Sequence, residues 1–502
     1  MNLFGAAAAL VTAWLAALVL TPGIARLATR LGAVDYPDGR RKSHSQPVPR
    51  AGGVAVALAA MAAIAVSTLL MGPSEEASST WLVRGLLPAL VVLLIVGIID
   101  DVWTLTGIYK LVGQVLAVSV LVAAGAHFDR ISLFGVVFPL GDFRIPFTIF
   151  FCLGAINAFN LIDGADGLAS SVGAIVCTSL GVITASQGDV SASLACFAVA
   201  GGLVGFLRYN APPARVYLGD TGSMLIGLVV AAVAIDCSIK QQAAFVLSVP
   251  IAICAIPILD AAAALVRRVT TGQSVFTPDR GHLHHALLLR GWSVGHTVAF
   301  IAGLAALTSF GALISYFTHN DLYALAVSGG VIVTLAGARV FGHTEAALLA
   351  SHSRSLVRRI VLPAVRGEAR ETERTVQLQG KRKWQKVWAA LREAAPLYDV
   401  AGLTLQVSIP QLHESFYATW KRNEAAAGGD DAWRITLPLV LDDRPIGKLS
   451  LIGTAGGRQA LVDMQQMLDY LETLDAEIAE ILGEEEPVVK ELVLANGTPV
   501  GA

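Results

Sequence analysis

Long apolar segments recur along the chain between residues 3 and 342, and they constrain the fold more than any other feature. A segment of roughly 20 apolar residues can cross a bilayer as a helix. Because 55% of the residues are hydrophobic and only 15% are charged, the composition also differs from that of an ordinary soluble protein. The sequence therefore predicts an all-α polytopic membrane protein with about 11 transmembrane helices. The predicted windows are 3–21, 53–72, 84–99, 111–126, 145–160, 169–187, 191–207, 222–236, 244–266, 297–316 and 324–342.

Positively charged residues are distributed unevenly between the loops. With the N-terminus placed outside, the inner loops carry most of the Lys and Arg, including the runs at 40–42 and 267–268. The opposite loops contain only Arg84, Arg130, Arg144 and Lys240. An excess of basic residues marks the cytoplasmic side, so a periplasmic N-terminus and a cytoplasmic C-terminus are predicted. The formal net charge of −2 gives no indication of nucleic-acid binding.

On this topology, several polar stretches lie on the cytoplasmic side, where loops of unrelated sequence can contribute to one site. They are RRKSHSQPVPR (40–50), DDVWTLTGIYK (100–110), NAFNLIDGADG (157–167), RYNAPPARVYLGDTGS (208–223) and PDRGHLHH (278–285). The outer loops are short or uniform, except for 127–145, where alternating apolar residues around a Gly turn predict a small hairpin.

The composition changes after about residue 343, where the chain leaves the predicted membrane domain of residues 1–342. A basic and charged linker helix region is predicted for 343–395. Between 396 and 483, two period-2 runs and a helical spacing of apolar residues predict a small cytosolic α+β module, which resembles GAF-type sensory domains. The tail, 484–502, is predicted to be disordered. The module is a candidate for binding a regulator, and a homodimer is left open.

Two adjacent carboxylates, Asp100 and Asp101, follow the third apolar window. A solvated helix end is the simplest interpretation. Neighbouring carboxylates against hydrocarbon repel each other, however, which suits a general base or a cation site. Lys110 lies further along the same stretch, where a cation near the membrane plane can hold an anionic lipid head group. The three residues together favour a functional role.

The stretch 157–167 combines carboxamides with carboxylates. Turn and N-cap formation would explain Asp163, Asp166 and the glycines. It does not explain Asn157 and Asn160, whose spacing places them on one helix face. Amide and carboxylate oxygens are hard ligands that suit Mg²⁺ rather than Zn²⁺.

Asp220 lies between Gly219 and Gly222 at the start of a later window. The glycines allow the backbone to approach a phosphate closely, and a helix beginning at about 222 would offer free N–H groups to an anion. One carboxylate here also suits Mg²⁺, which completes its shell with water and substrate phosphates.

Three His and one Arg lie close together in PDRGHLHH. Zinc is one alternative, but no Cys or nearby carboxylate completes a shell, and the five Cys lie in or at the ends of apolar segments as core residues. A cationic site for a diphosphate fits better. Asp260, in the preceding window, either pairs with Arg267 or Arg268 or has a functional role. The cationic residues are Arg280, His282, His284 and His285.

These features on one membrane face indicate that a diphosphate substrate meets a membrane-bound acceptor. In such phosphoryl transfer, positioning and charge neutralisation supply most of the catalysis. The competing hypothesis is a membrane transporter, or a sensor of a phosphorylated ligand that signals through the C-terminal module. Ionisable residues at one mouth rather than at mid-span argue against a transporter.

The motifs DDVWTLTGIYK, NAFNLIDGADGL, GDTGS and PDRGHLHH, in this order, resemble those of the polyprenyl-phosphate N-acetylhexosamine-1-phosphate transferases. The resemblance covers about residues 1–340, and RKSHSQPVPRAGG is similar to the bacterial undecaprenyl-phosphate N-acetylglucosamine-1-phosphate branch. It implies transfer of a sugar 1-phosphate from a UDP-N-acetylhexosamine to polyprenyl phosphate, with release of UMP. It also implies a Mg²⁺ cofactor, with Mn²⁺ as a substitute, and a site on the cytoplasmic face of the bacterial inner membrane.

The resemblance also implies a role for each matching residue. Asp100 and Asp101 match the catalytic pair, with Lys110 nearby, and Asn160 and Asp220 match the metal ligands. The expected substrate contacts are Asn157, Asp163, Asp166, Arg280, His282, His284, His285, Lys42 and His44.

Overall fold

The chain forms two compact units, of which the first carries the apolar helices. This unit comprises Met1–Thr277 and His282–Ala350, and the second comprises Pro278–Gly281 and Ser351–Ala502. The tail predicted to be disordered lies outside the described residues. The computed structural model describes residues 3–36, 47–71, 82–133, 136–240, 247–271, 273–275, 279, 281–350, 353, 372–379, 383–409, 414–422, 433–441, 444–453, 458–474, 478 and 481.

Helices account for most of the first unit, as the apolar windows predict. Among the described residues, eight helices are long and apolar enough to cross a membrane, whereas the apolar helices α4 and α13 are shorter. The helices are α1 (Leu3–Leu31), α2 (Gly52–Met71), α3 (Leu87–Trp103), α4 (Gly107–Ala123), α5 (Arg144–Ile162), α6 (Leu168–Ser186), α7 (Val190–Asn210), α8 (Gly219–Lys240), α9 (Ser248–Ile253), α10 (Ala255–Thr270), α11 (Leu283–Leu288), α12 (Val294–Thr318) and α13 (Asp321–Gly337).

The window predicted at 244–266 differs from the structure, because a break at Cys254 separates α9 from α10. Pro257 gives a physical reason for the break. Proline has no N–H, so it cannot donate to the carbonyl of Ile253 and continue one helix through this point. About 11 full spans therefore exceed the number that helix length alone supports.

Helix α8 lies at the centre of the first unit and packs against α3 and α5. Of its apolar window, 94% of the residues are buried. A helix that is apolar on all sides has to be covered on all sides, and the Gly, Ala and Val residues of α8 allow its neighbours to come close. The polar N-terminal turn of α8 is thereby fixed among the ends of several helices.

Small residues also set the packing of α7 against α1. Gly201 and Gly205 are one helical turn apart, and a Cβ on each would lie 2.1 Å from the Leu10 carbonyl oxygen and 2.4 Å from the Trp14 carbonyl oxygen. Small residues at this spacing let two membrane helices approach closely. The backbones of α1 and α7 are therefore in direct contact.

Short β-structures complete the first unit. The strands Arg130–Leu133 (β3) and Val136–Pro139 (β4) pair antiparallel, which confirms the hairpin predicted for 127–145. Residues Val34–Asp35 (β1) and Val48–Pro49 (β2) form another antiparallel pair. The five Cys are free and buried, as core residues should be.

The second unit is built on an antiparallel sheet with strand order β5-β7-β6-β9-β8 among the described residues. The two period-2 runs lie in β6, β8 and β9, so they are strands as predicted. Trp384, Phe416 and Trp420 are among the buried core residues of this unit. Its elements are β5 (Thr372–Gln379), α14 (Trp384–Ala394), β6 (Val400–Ile409), β7 (Glu414–Lys421), β8 (Trp433–Leu441), β9 (Arg444–Gly453) and α15 (Arg458–Thr473).

Candidate active site

The two neighbouring carboxylates at the end of α3 have different partners, and Asp101 holds the start of α8. It accepts hydrogen bonds from the backbone N–H of Asp220 (2.9 Å) and of Thr221 (3.2 Å), and from the Thr221 hydroxyl (2.6 Å). Gly219 has a φ of +76°, and a Cβ there would lie 2.7 Å from Asp101 Oδ2. Helix α8 begins at Gly219 rather than at about 222, and the N–H groups of Asp220 and Thr221 bind a carboxylate of the chain itself instead of remaining free.

Asp100 and the Asp220 side chain are connected through Lys110. The Lys110 ammonium lies 3.0 Å from Asp100 Oδ2 and 2.5 Å from Asp220 Oδ1. Asp100 Oδ1 also accepts from the backbone N–H of Leu105 (2.7 Å). Asp100 is buried, whereas the Asp220 side chain is 30% exposed. Lys110 therefore balances two carboxylates, one of which remains accessible from solution.

The two asparagines at the end of α5 also have different partners. The Asn160 side-chain amide donates to Asp220 Oδ1 and to the Ser223 hydroxyl. Asn157 donates instead to Gln114 Oε1 and to the Leu153 carbonyl, both at 2.8 Å. Asn160 thus joins the charged cluster, and Asn157 cross-links α5 to α4.

The loop after α5 carries a second pair of carboxylates with separate surroundings. Asp166 accepts from the backbone N–H of Ala214 (2.9 Å) and so holds the segment that precedes α8. Asp163 is half-buried. Burial, together with the negative charges of Asp220 and Asp101, raises the pKa of Asp163 well above its ordinary value. Asp163 therefore adds a carboxyl group within electrostatic reach of Asp220 and Asp101.

Asp260 has a partner that the sequence analysis did not identify. Its carboxylate binds His282 Nδ1 (2.9 Å) and the backbone N–H of Leu283 (2.8 Å). Of the two interpretations left open for Asp260, the structure therefore does not show the pairing with an arginine of α10. Arg267 forms a buried ion pair with Glu345, and Arg268 donates to the Val275 carbonyl.

His284 connects the histidine loop to the loop after α5. A Cβ on Gly164 would lie 2.5 Å from His284 Nε2, so only a glycine leaves room for the ring. The His284 ring stacks on His282 at 5.9 Å and lies 4.1 Å from the His285 ring. Burial and the neighbouring His285 lower the pKa of His284 to about 3. His284 is therefore neutral at physiological pH.

Three of the expected substrate contacts lie outside the described residues, namely Lys42, His44 and Arg280. Within the described part of the stretch 40–50, Arg50 pairs with Asp35 and forms a β-bridge with Tyr217, which lies in the segment before α8. Arg50 therefore lies close to the start of α8.

Three polar residues of the site were missed from sequence. Thr221 and Ser223 lie inside the quoted GDTGS motif, yet only Asp220 and the glycines were assigned roles there. Gln114 is buried and lies one turn after Lys110 on the same face of α4, a spacing that could have identified it. Among the described residues it links Asn157 to the Met224 sulfur.

The residues around Asp220 fit a hard divalent cation bound with few protein ligands. Asn160 and Asp220 are in direct contact, and both carry oxygen donors once the Asn160 amide is turned to present its carbonyl oxygen. In the described part of the chain, no group of three or more His, Cys, Asp or Glu side chains is placed to hold a metal. Two protein oxygens, completed by water and substrate phosphates, match Mg²⁺.

In the comparison with known proteins, the charged cluster of Asp100, Lys110, Asn160 and Asp220 lies within a matched region. Residues 83–238 match the family model described as glycosyl transferase family 4. A probable undecaprenyl-phosphate N-acetylglucosaminyl 1-phosphate transferase of Bacillus subtilis is 32% identical over 308 residues, which cover 61% of this chain and 84% of that protein. A decaprenyl-phosphate N-acetylglucosaminephosphotransferase of Mycobacterium leprae is 34% identical, covering 66% and 88%. A phospho-N-acetylmuramoyl-pentapeptide-transferase of Listeria welshimeri is 32% identical, covering 53% and 82%.

The apolar helices and the charged cluster at their ends define an integral membrane protein with a polar site at one end of its helices. The chain is similar to these relatives over most of their length, and this similarity identifies the family within the class of integral membrane proteins. The chain belongs to glycosyl transferase family 4. The family expected from the four motifs is thereby confirmed.

Proposed function

We propose that the protein transfers N-acetylglucosamine 1-phosphate from UDP-N-acetylglucosamine to a polyprenyl phosphate, with release of UMP. The proposal rests on one observation: a cluster of contacting side chains lies at one end of the helices, formed by Asp100, Lys110, Asn160 and Asp220. Two relatives are named as N-acetylglucosamine-phosphate transferases acting on undecaprenyl or decaprenyl phosphate. Undecaprenyl phosphate is the acceptor we propose.

The reaction requires little covalent chemistry from the protein. An oxygen of the lipid phosphate attacks the sugar-bound phosphorus of the UDP-sugar, and the bond from that phosphorus to the bridging oxygen breaks. UMP leaves, and the lipid carries a diphosphate sugar. Because the attacking group is an anion approaching another anion, neutralisation of charge and alignment supply most of the rate acceleration.

The side chains divide this work by position. Lys110 binds the lipid phosphate, since its ammonium is the cation between Asp100 and Asp220. Asp100 receives the proton of the lipid phosphate and orients Lys110. Asp101 fixes the backbone from which Asp220 projects. Asp163 lies on the donor side, next to His284 at Gly164.

A magnesium ion would be held by Asn160 and Asp220, with Mn²⁺ as a substitute. When bound, it would neutralise the negative charge of the donor diphosphate. The oxygen character of both ligands and the partial exposure of Asp220 support this assignment.

The orientation follows from the distribution of charge. We place the N-terminus in the periplasm and the site on the cytoplasmic face of a bacterial inner membrane, because the basic residues concentrate in the loops of that side. The shorter helices α4 and α13 and the α9 and α10 pair then complete about 11 membrane segments.

Substitution of Asp220 tests the proposal. Purified protein in detergent, with undecaprenyl phosphate, UDP-N-acetylglucosamine and Mg²⁺, should release UMP, and Asp220→Asn should lower the rate by roughly 100-fold or more. Asp142→Asn is the matched control, because Asp142 is exposed in the loop before α5. Turnover of Asp220→Asn at the wild-type rate would contradict the site. Turnover only with UDP-N-acetylmuramoyl-pentapeptide would contradict the proposed sugar.

A further inference from the structure

We propose that Asp260 is a positioning residue that holds His282 in one orientation toward the diphosphate of the sugar donor. This inference rests on the proposed function and extends it to a residue of α10. It starts from the double contact that Asp260 makes with the histidine loop.

Both oxygens of the carboxylate are used. Oδ2 binds His282 Nδ1 at 2.9 Å, and Oδ1 accepts from the backbone N–H of Leu283 at 2.8 Å. Asp260 is 2% exposed and His282 is 4% exposed. Because one buried carboxylate binds both the ring and the backbone of the next residue, the imidazole cannot turn without breaking a hydrogen bond inside the protein.

This contact decides which ring nitrogen of His282 serves a ligand. With Nδ1–H donated to Asp260, Nε2 is the nitrogen left for a substrate. A phosphate oxygen accepts hydrogen bonds only, so binding at Nε2 needs a proton there as well. The His282 ring then bridges two acceptors, the Asp260 carboxylate at Nδ1 and the phosphate at Nε2.

The surroundings direct His282 to the donor side of the site. Its ring is parallel to the ring of His284, with an interplanar angle of 7°, and His284 packs on Gly164 beside Asp163. The lipid side is formed instead by Asp100 and Lys110. A loss of Asp260 should therefore affect the donor more than the acceptor.

The arginines of α10 offer no competing explanation for a buried carboxylate at this position. Arg267 pairs with Glu345, and Arg268 binds the Val275 carbonyl. A carboxylate whose only task was to balance these cations would be expected to contact one of them. The carboxylate of Asp260 contacts the histidine loop.

Steady-state kinetics of Asp260→Asn, His282→Asn and the double variant test the inference. Asp260→Asn should lower kcat/KM for UDP-N-acetylglucosamine by roughly 10- to 100-fold, the usual effect of losing a residue that orients a ligand, and leave KM for undecaprenyl phosphate unchanged. The double variant should be no slower than His282→Asn alone, because Asp260 acts through His282. Asp260→Glu should recover part of the activity.

Two results would contradict this role of Asp260. Multiplied effects in the double variant, or equal changes in KM for both substrates, would show that Asp260 only supports the fold. If Asp260→Asn does not fold, as judged by gel filtration in detergent, the same cycle is run with Asp260→Glu, and additivity there overturns the inference. Absence of UMP release by the wild-type protein would instead contradict the proposed function itself.

Discussion

At the scale of the residue, neighbours in sequence have different partners in this site. Asp100 contacts Lys110, while Asp101 caps α8. Asn160 contacts Asp220, while Asn157 is bound to Gln114. Successive side chains on a helix point about 100° apart, so the adjacent Asp100 and Asp101 face different neighbours, whereas Asn157 and Asn160 share a face and differ in their position along the helix. The chemistry of each residue therefore follows from the direction it faces.

His284 gives a prediction about acid stability. Its pKa is about 3 in the folded protein and 6.5 when unperturbed, so between these values the unfolded chain binds a proton that the folded chain does not. Stability should therefore fall as pH decreases below 6.5, by up to roughly 1.4 kcal/mol per pH unit from this residue. Thermal unfolding in detergent between pH 7 and pH 5 should show a smaller decrease for His284→Gln than for wild type.

His343 provides the control for this experiment, because it is an exposed histidine of the same unit. His343→Gln should follow the wild-type pH dependence. Equal slopes for wild type and His284→Gln would show that the His284 ring takes up a proton in the folded protein.

At the scale of the element, close contact between helix backbones determines the positions of the functional groups. Helix α8 begins among the ends of its neighbours because glycines let them approach: a Cβ on Gly97 of α3 would lie 2.5 Å from Thr221 Cα, and a Cβ on Gly53 of α2 would lie 2.1 Å from Gly222 N. Larger residues would push these helices apart and move Asp101 away from the N-terminal turn of α8.

The contact between α7 and α1 allows this packing to be tested. Gly201→Ala places a methyl group 2.1 Å from the Leu10 carbonyl oxygen, so the helices must separate, at a cost of roughly 1–3 kcal/mol. Gly303→Ala in α12 meets nothing within 4 Å and should leave the midpoint of thermal unfolding unchanged or slightly raised. If both variants unfold at the same temperature, the backbones of α1 and α7 are not in close contact.

The elements were more predictable from sequence than the contacts between them. Apolar length and period identified the helices, the β3 and β4 hairpin and the strands of the second unit. Alternation of loops across a membrane predicted that Asp100, Asn160 and Asp220 share one face. Partners such as Asp101 with the Asp220 N–H, or Asp260 with His282, depend on how each helix is rotated about its axis. Hydropathy does not specify that rotation, because helices with apolar residues on all sides leave it undetermined.

At the scale of the whole molecule, the boundary between the two units can be located by truncation. A chain ending after Ala350 keeps all the residues assigned to the site and also Glu345, and it should retain UMP release. A chain ending after Thr344 loses Glu345, which forms a buried ion pair with Arg267. Breaking a buried pair costs about 3–5 kcal/mol, so this shorter chain should unfold at a lower temperature.

The two truncated chains serve as controls for each other. Loss of activity in the longer one, with normal elution in gel filtration, would make the second unit part of the catalytic apparatus. Equal stability of the two chains would show that the Arg267 and Glu345 pair does not stabilise the first unit.

The segment that leads into α8 has one further consequence, for the thermodynamics of binding. Asp166 holds its Ala214 N–H, and Asp101 holds the N–H groups of Asp220 and Thr221 at its other end. Fixing a backbone residue costs about 1–2 kcal/mol of conformational entropy. In this segment the backbone is already fixed in the folded protein, so binding of a nucleotide does not have to fix it. Donor binding should therefore carry a small entropic penalty.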